Sequence, residues 1–233
     1  MNKILNGLAM VLLMPGLVAA ASKDDPILTK VLIDQLEMRV TDGPNPWVLD
    51  AQAWIGRDLN KLWFKTEVEV VDGNTEEAEI QALYSRAIAP YWDLQAGWRR
   101  DIRPTPSRDW FAIGVEGLAP YWFEVDAAAF VGEGGQLAGR LKAEYEWMFT
   151  QKWILSPEVE MNLYSKNDEA AGIGAGLSDM ELGLRLRYEV RREFAPYIGV
   201  NWTGKFGNTA DFARDEGEDT SDFQFVAGIR AWF

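Results

Sequence analysis

Apolar and polar residues alternate along much of this chain, in segments of about ten residues separated by turn residues. Successive side chains of a β-strand point to opposite faces, so each segment predicts a strand with one apolar and one polar face. The last one, Phe223–Phe233, ends the chain on an aromatic residue. We predict twelve strands: 29–40, 47–57, 61–71, 77–88, 91–101, 109–118, 121–131, 137–149, 152–164, 177–189, 193–206 and 222–233.

The connections between these segments differ in length according to their position. Even-numbered segments lead into short links such as 89–90, whereas odd-numbered segments lead into longer ones, among them 72–76, 165–176 (loop five) and 207–221 (loop six). Short periplasmic turns and long extracellular loops are typical of outer-membrane barrels, and a soluble sandwich has no reason to sort its loops in this way. The sequence therefore predicts an all-β, antiparallel up-and-down transmembrane β-barrel of about twelve strands with periplasmic termini.

Aromatic residues near the strand ends support a membrane location. Trp63, Tyr91 and Trp122 lie near short links, while Trp98 and Trp110 lie near long ones. Trp and Tyr favour the membrane–water interfaces, so we interpret these residues as two aromatic belts. The alternative is that these aromatic rings pack in the core of a β-sandwich.

The first residues have the features of a secretory signal peptide. Lys3 precedes an apolar stretch, 4–18, which is followed by Ala19, Ala20 and Ala21. We predict a signal peptide over 1–21 and a barrel domain over 22–233, located in the outer membrane of a Gram-negative bacterium. Membrane lipid is then one partner.

Composition limits the chemistry. The formal charge of −13 argues against a nucleic-acid partner, because phosphates require a basic surface. The chain contains no Cys and no His, which removes disulfides, thiolate and imidazole metal ligands and Ser-His catalysis. We therefore expect that this protein is not an enzyme.

The polar strand faces predict the contents of the lumen, where acids outnumber bases. Either the charged side chains form a structural network that leaves the lumen narrow or closed, or they form a cation path or a site of oxygen ligands. Asp34 and Arg86 fall on apolar faces, which predicts bulges or interface positions. Three pairs of carboxylates on single strand faces are candidate metal ligands: Glu67 and Glu69, Glu158 and Glu160, Asp179 and Glu181.

Eight stretches carry a family resemblance over essentially all of 25–233: Asp25–Glu37, Asp50–Gly56, Asp58–Trp63, Leu83–Arg86, Pro157–Glu160, Gly176–Glu189, Arg192–Trp202 and Phe206–Asp211. They resemble copper resistance protein B. This resemblance implies an outer-membrane barrel of copper resistance or homeostasis that binds or passes copper ions. A periplasmic copper oxidase or copper carrier is the candidate protein partner.

The chain departs from that family in one respect. Its members typically carry a Met- and His-rich segment between signal and barrel, whereas only Ser22–Asp24 lies there in this sequence. We place Met38, Met148, Met161 and Met180 on the lipid-facing side. The expectation is a barrel whose copper affinity is weak, based on carboxylates or supplied by a partner. A narrow general cation or solute channel and a structural barrel acting through periplasmic partners are the alternatives.

Overall fold

The computed structural model describes residues 25–233 and shows one closed antiparallel sheet. Each strand pairs with the next along the chain, and the first pairs with the last, so the predicted barrel of twelve strands is confirmed. The strands are β1 Leu28–Val40, β2 Trp47–Gly56, β3 Asn60–Val71, β4 Asn74–Ala89, β5 Trp92–Arg103, β6 Arg108–Ala119, β7 Phe123–Gly132, β8 Leu137–Tyr145 with its continuation Trp147–Met148, β9 Trp153–Tyr164, β10 Gly176–Tyr188, β11 Phe194–Lys205 and β12 Ser221–Trp232.

The outward face of the barrel is apolar and exposed. Leu182 and Leu184 on β10 and Ile198 on β11 are between 41% and 65% exposed, while their sequence neighbours on the other face are buried or half-buried. Closure of the sheet over residues 25–233 leaves no edge strand unpaired. A sheet that spans a membrane needs this closure, because the bilayer core has no water to hydrogen-bond unpaired backbone groups. Among residues 25–233, no helix is both long and apolar enough to cross a membrane.

The connection between β3 and β4 is shorter than predicted. Asp72 and Gly73 form a two-residue turn with φ values of 50° and 80°, and Val71 pairs with Asn74. Two positive φ angles are the requirement of a type I′ hairpin turn, for which Asp-Gly is a favoured sequence. The prediction of a long link over 72–76 was therefore wrong, and β4 begins three residues earlier than expected.

The two polar residues predicted on apolar faces have different explanations. A register shift between Ile33 and Leu36 marks a bulge in β1, and Asp34 turns inward, where its Oδ1 lies 3.0 Å from Nε of Arg230. Arg86 stays on the outward face and is exposed near the periplasmic end of β4. Asp34 is therefore explained by a bulge, and Arg86 by its position at the membrane–water interface.

Loop six contains a helix that the sequence analysis missed. Helix α1 spans Gly207–Glu216 and ends at Gly217, which has the left-handed conformation common after helices. Oγ1 of Thr209 accepts a hydrogen bond of 2.8 Å from the amide of Gly174 in loop five and lies 3.0 Å from Oγ of Ser178. Loops five and six thus form one packed unit. The predicted signal peptide, 1–21, lies outside the described residues.

Candidate functional site

The lumen is crossed by ion pairs between strands on opposite sides of the barrel. Nζ of Lys142 on β8 lies 2.8 Å from Oδ2 of Asp50 on β2. Arg140, on the same strand, donates to Oε2 of Glu79 on β4 at 2.8 Å and to both carboxylate oxygens of Glu67 on β3 at 3.1 Å. In a ring of twelve strands, bridges between β8 and strands β2 to β4 pass through the middle of the lumen.

A second cluster surrounds Arg185 on β10. Its Nε donates to Oε2 of Glu37 on β1 at 2.9 Å, and its Nη1 donates to Oε2 of Glu158 on β9 at 2.9 Å. The Tyr197 hydroxyl also donates to Glu37, which has no exposed surface. A buried carboxylate is tolerated only when it is paired and hydrogen-bonded, and Glu37 meets that condition.

The lumen also contains an apolar cluster that the sequence analysis did not predict. Trp63, Leu83, Trp110, Ala112 and Phe130 are buried together on the wall formed by β3 to β7. Assigning Trp63 and Trp110 to the aromatic belts was therefore wrong. The alternation along β3 could have placed Trp63 correctly, since residues two apart share a strand face and Trp63 is two residues from the luminal Lys65.

These side chains leave little free space. One luminal cavity of about 40 Å³ lies between them, with Lys65, Gln81, Phe130, Arg140 and Lys142 among its lining residues. That volume has room for only a few water molecules, since one water needs at least about 10–15 Å³. A narrow or closed lumen stays a prediction, which a conductance measurement tests.

All six predicted carboxylates face the lumen, in two groups. Glu67 and Glu69 lie on β3, across the lumen from the other four on β9 and β10, where Glu160 and Glu181 are directly opposed in register. Arg140 links the groups, because it contacts both Glu67 and, at 3.3 Å, Glu160.

Basic residues neutralise most of these candidates. Lys142 lies 3.0 Å from Oε1 of Glu158, and Arg39 donates to both oxygens of Glu181 at 2.8 and 3.1 Å. Asp179 accepts a hydrogen bond of 2.9 Å from the Asn162 amide. Within residues 25–233, no Lys or Arg nitrogen lies within 4.0 Å of the Asp179 or Glu69 carboxylate.

Sequence reasoning missed a further luminal carboxylate, Glu77. It lies on β4 directly opposite Glu69, next to the Asp72–Gly73 turn at the extracellular end, and is exposed. No Lys or Arg nitrogen lies within 4.0 Å of its carboxylate among the described residues. Throughout 25–233, no group of three or more His, Cys, Asp or Glu residues is arranged to hold a metal ion.

The methionines divide between the two surfaces. Met38, Met161 and Met180 oppose outward-facing residues, as predicted. Met148 lies opposite the buried, inward-facing Ile154, so placing it on the lipid-facing side was wrong. The pairing register against β9 continues unchanged past Glu146, so Met148 lies on the same face as the luminal Glu144 and Lys142, two and three positions back along that face.

Solved structures share this architecture. The NanC porin superposes with a TM-score of 0.58 at 10% identity, covering 88% of this chain and 99% of the porin. The KdgM porin gives a TM-score of 0.54 at 11% identity over the same shares of the two chains. At these identities the likeness shows the fold alone, that of an outer-membrane barrel.

Relatives found by sequence identify the family as well as the fold. Copper resistance protein B of Escherichia coli is 49% identical over 213 residues, which cover 91% of this chain and 72% of that protein. The copper resistance protein B homolog of Pseudomonas syringae pv. tomato is 43% identical over 210 residues, 90% of this chain and 71% of the homolog. The family described as copper resistance protein B precursor matches residues 27–233. This outer-membrane barrel therefore belongs to the copper resistance protein B family.

Proposed function

We propose that the protein serves copper resistance by binding copper ions at luminal carboxylates near the extracellular end of the barrel. The observation that carries the proposal is that three luminal carboxylates, Glu69, Glu77 and Asp179, have no basic nitrogen within 4.0 Å among the described residues of this family member. Cu²⁺ is bound more strongly than other divalent first-row ions by a given set of oxygen ligands. Because these three carboxylates are not arranged as a ready-made metal site, binding is weak, and it takes place at the end of the lumen that opens to the outside.

The remaining candidates have a supporting role in this proposal. Glu67, Glu158, Glu160 and Glu181 are held by arginines and lysines, so a metal ion would have to displace a cation to reach them. They keep the lumen closed and surround the open carboxylates with negative charge. Copper is thus buffered at the outer membrane rather than passed through a general channel.

A second function, docking of a periplasmic copper oxidase or copper carrier, is favoured by two periplasmic turns. Both have the sequence Ala-Pro-Tyr-Trp, at 89–92 and 119–122. Tyr91 and Tyr121 have φ values of 67° and 68° and are 74% and 83% exposed. A bulky residue at positive φ costs on the order of 1–3 kcal/mol, and such strain is concentrated at functional sites.

The test compares Glu69→Gln/Glu77→Gln/Asp179→Asn with the wild type in a deletion strain and as purified barrels. We expect the variant to fold but to bind Cu²⁺ at least about tenfold more weakly and to restore less copper tolerance, because it loses its ligands. Glu133→Gln/Glu216→Gln/Asp215→Asn is the control, since it removes the same charge from exposed positions of the extracellular loops. Equal Cu²⁺ binding and equal tolerance for the two variants would refute the carboxylate site.

A further inference from the structure

Two methionines face each other on the outer surface of the barrel. Met161 on β9 and Met180 on β10 are directly opposed in register, and both are half-buried. Directly opposed residues of antiparallel strands have Cβ atoms about 4.5–5.5 Å apart. The methionine side chain is unbranched and flexible, so two thioether sulfurs at this separation can turn towards one ion.

An indole ring borders the pair. On its other side Met180 is opposed by Gly204 of β11, and the Trp202 ring lies where a side chain on Gly204 would be. Nε1 of Trp202 donates a hydrogen bond of 2.8 Å to Oγ of Ser221, which holds the ring in place. Met180 therefore lies between a second thioether and an aromatic ring, at the extracellular end of the wall.

We propose that Met161 and Met180 form a site for a soft monovalent metal ion, Cu⁺ or its analogue Ag⁺. Thioether sulfur is a soft ligand that selects Cu⁺, whereas carboxylates suit harder ions. Neutral ligands on an apolar surface favour a single charge over a double one, because desolvation of a charge is costly there. The site rests on the proposed copper function and adds a place for reduced copper, separate from the luminal carboxylates.

The other two methionines of the described region provide a matched control. Met38 is opposed by Trp47 and Ala227, and Met148 by Ile154. Neither of them has a second thioether directly opposite. If the methionines serve only as apolar surface, leucine should replace each of them with the same result, since the two side chains are similar in volume.

The experiment is titration of the purified, detergent-solubilised barrel with Ag⁺ in chloride-free buffer. We expect one bound Ag⁺ in the wild type and in Met38→Leu/Met148→Leu. Met161→Leu/Met180→Leu should bind at least about 100-fold more weakly, because altering only the residues around a metal's ligands already costs 10–100-fold. Folding of each variant is checked by its shift on unheated gels.

Equal Ag⁺ affinity in the two double variants, or no Ag⁺ binding by the wild type, would overturn the site. Because binding is measured on purified protein, it does not depend on whether the wild-type gene restores copper tolerance. That tolerance measurement tests the proposed function, so the two ideas fail separately.

Discussion

The middle of the lumen and its extracellular end contain the same kind of acidic residue in different surroundings. In the middle, Glu37 is fully buried and is held by Arg185, Arg39 and Tyr197. At the extracellular end, Glu69 and Glu77 face each other without a basic partner among the described residues. Carboxylates in the first region are held in ion pairs, and those in the second are the ones that we propose to bind a cation.

The largest effect on this difference is expected from removing Arg185, the cation that Glu37 and Glu158 share. Arg185→Leu leaves Glu37 and Glu158 without their shared partner. Removing one partner of a buried ion pair costs about 3–5 kcal/mol, so we expect a loss of that size in urea unfolding from bilayers. Arg100→Leu is the control, because its pair with Asp109 is about 40% exposed and should matter by about 1 kcal/mol or less. Similar losses for both variants would contradict the structural role of the luminal network.

A substitution at Leu184, next to Arg185 on β10, tests which face of the strand points towards lipid and which towards the lumen. Leu184 points towards lipid and is 41% exposed. Leu184→Arg should destabilise the barrel by about 2–4 kcal/mol, because it places a charge in the apolar band. Ile88→Arg, near the periplasmic end of β4, should cost about 0–1 kcal/mol in the same unfolding assay. A stable Leu184→Arg barrel would mean that the register is wrong.

The smallest expected effect has the opposite sign. Glu77→Gln removes one of two like charges directly opposed on neighbouring strands. Like charges in this arrangement are destabilising by about 0.2–1 kcal/mol, so the variant should be more stable by that amount while binding Cu²⁺ less well. Glu133→Gln, in the exposed extracellular turn between β7 and β8, should change neither quantity. A destabilised Glu77→Gln barrel would show that this carboxylate is structural too.

Local alternation was sufficient to predict the strands, because lipid outside and water or charge inside impose opposite polarities on adjacent residues. It was not sufficient for α1, whose position depends on contacts of Thr209 with Gly174 and Ser178 in other parts of the chain. The Asp72–Gly73 turn was overlooked because the polar residues that follow it, Asn74, Thr75 and Glu76, have the composition of a loop although they belong to β4. Trp63 and Trp110 were misplaced because an aromatic residue near a strand end has the same sequence context in a belt and in a lumen.

The partners of the luminal charges could not be predicted from the sequence. Lys142 and Asp50 are 92 residues apart, and Arg185 and Glu37 are 148 apart. Which side chains meet across a barrel depends on its strand tilt and stagger, which alternation does not specify. The six candidate carboxylates could therefore be assigned to the lumen, but not divided into paired and open ones.

Single-channel recording in planar bilayers tests the central claim, that ion pairs close the lumen, most directly. The wild type should show no stable conductance. Arg140→Ser/Lys142→Ser should open a cation-selective path, since Asp50, Glu67 and Glu79 then lose their bridges and remain. Lys166→Ser/Arg214→Ser, in the extracellular loops, should stay closed. A wild-type barrel that conducts like a general porin, or a double variant that remains closed, would contradict it.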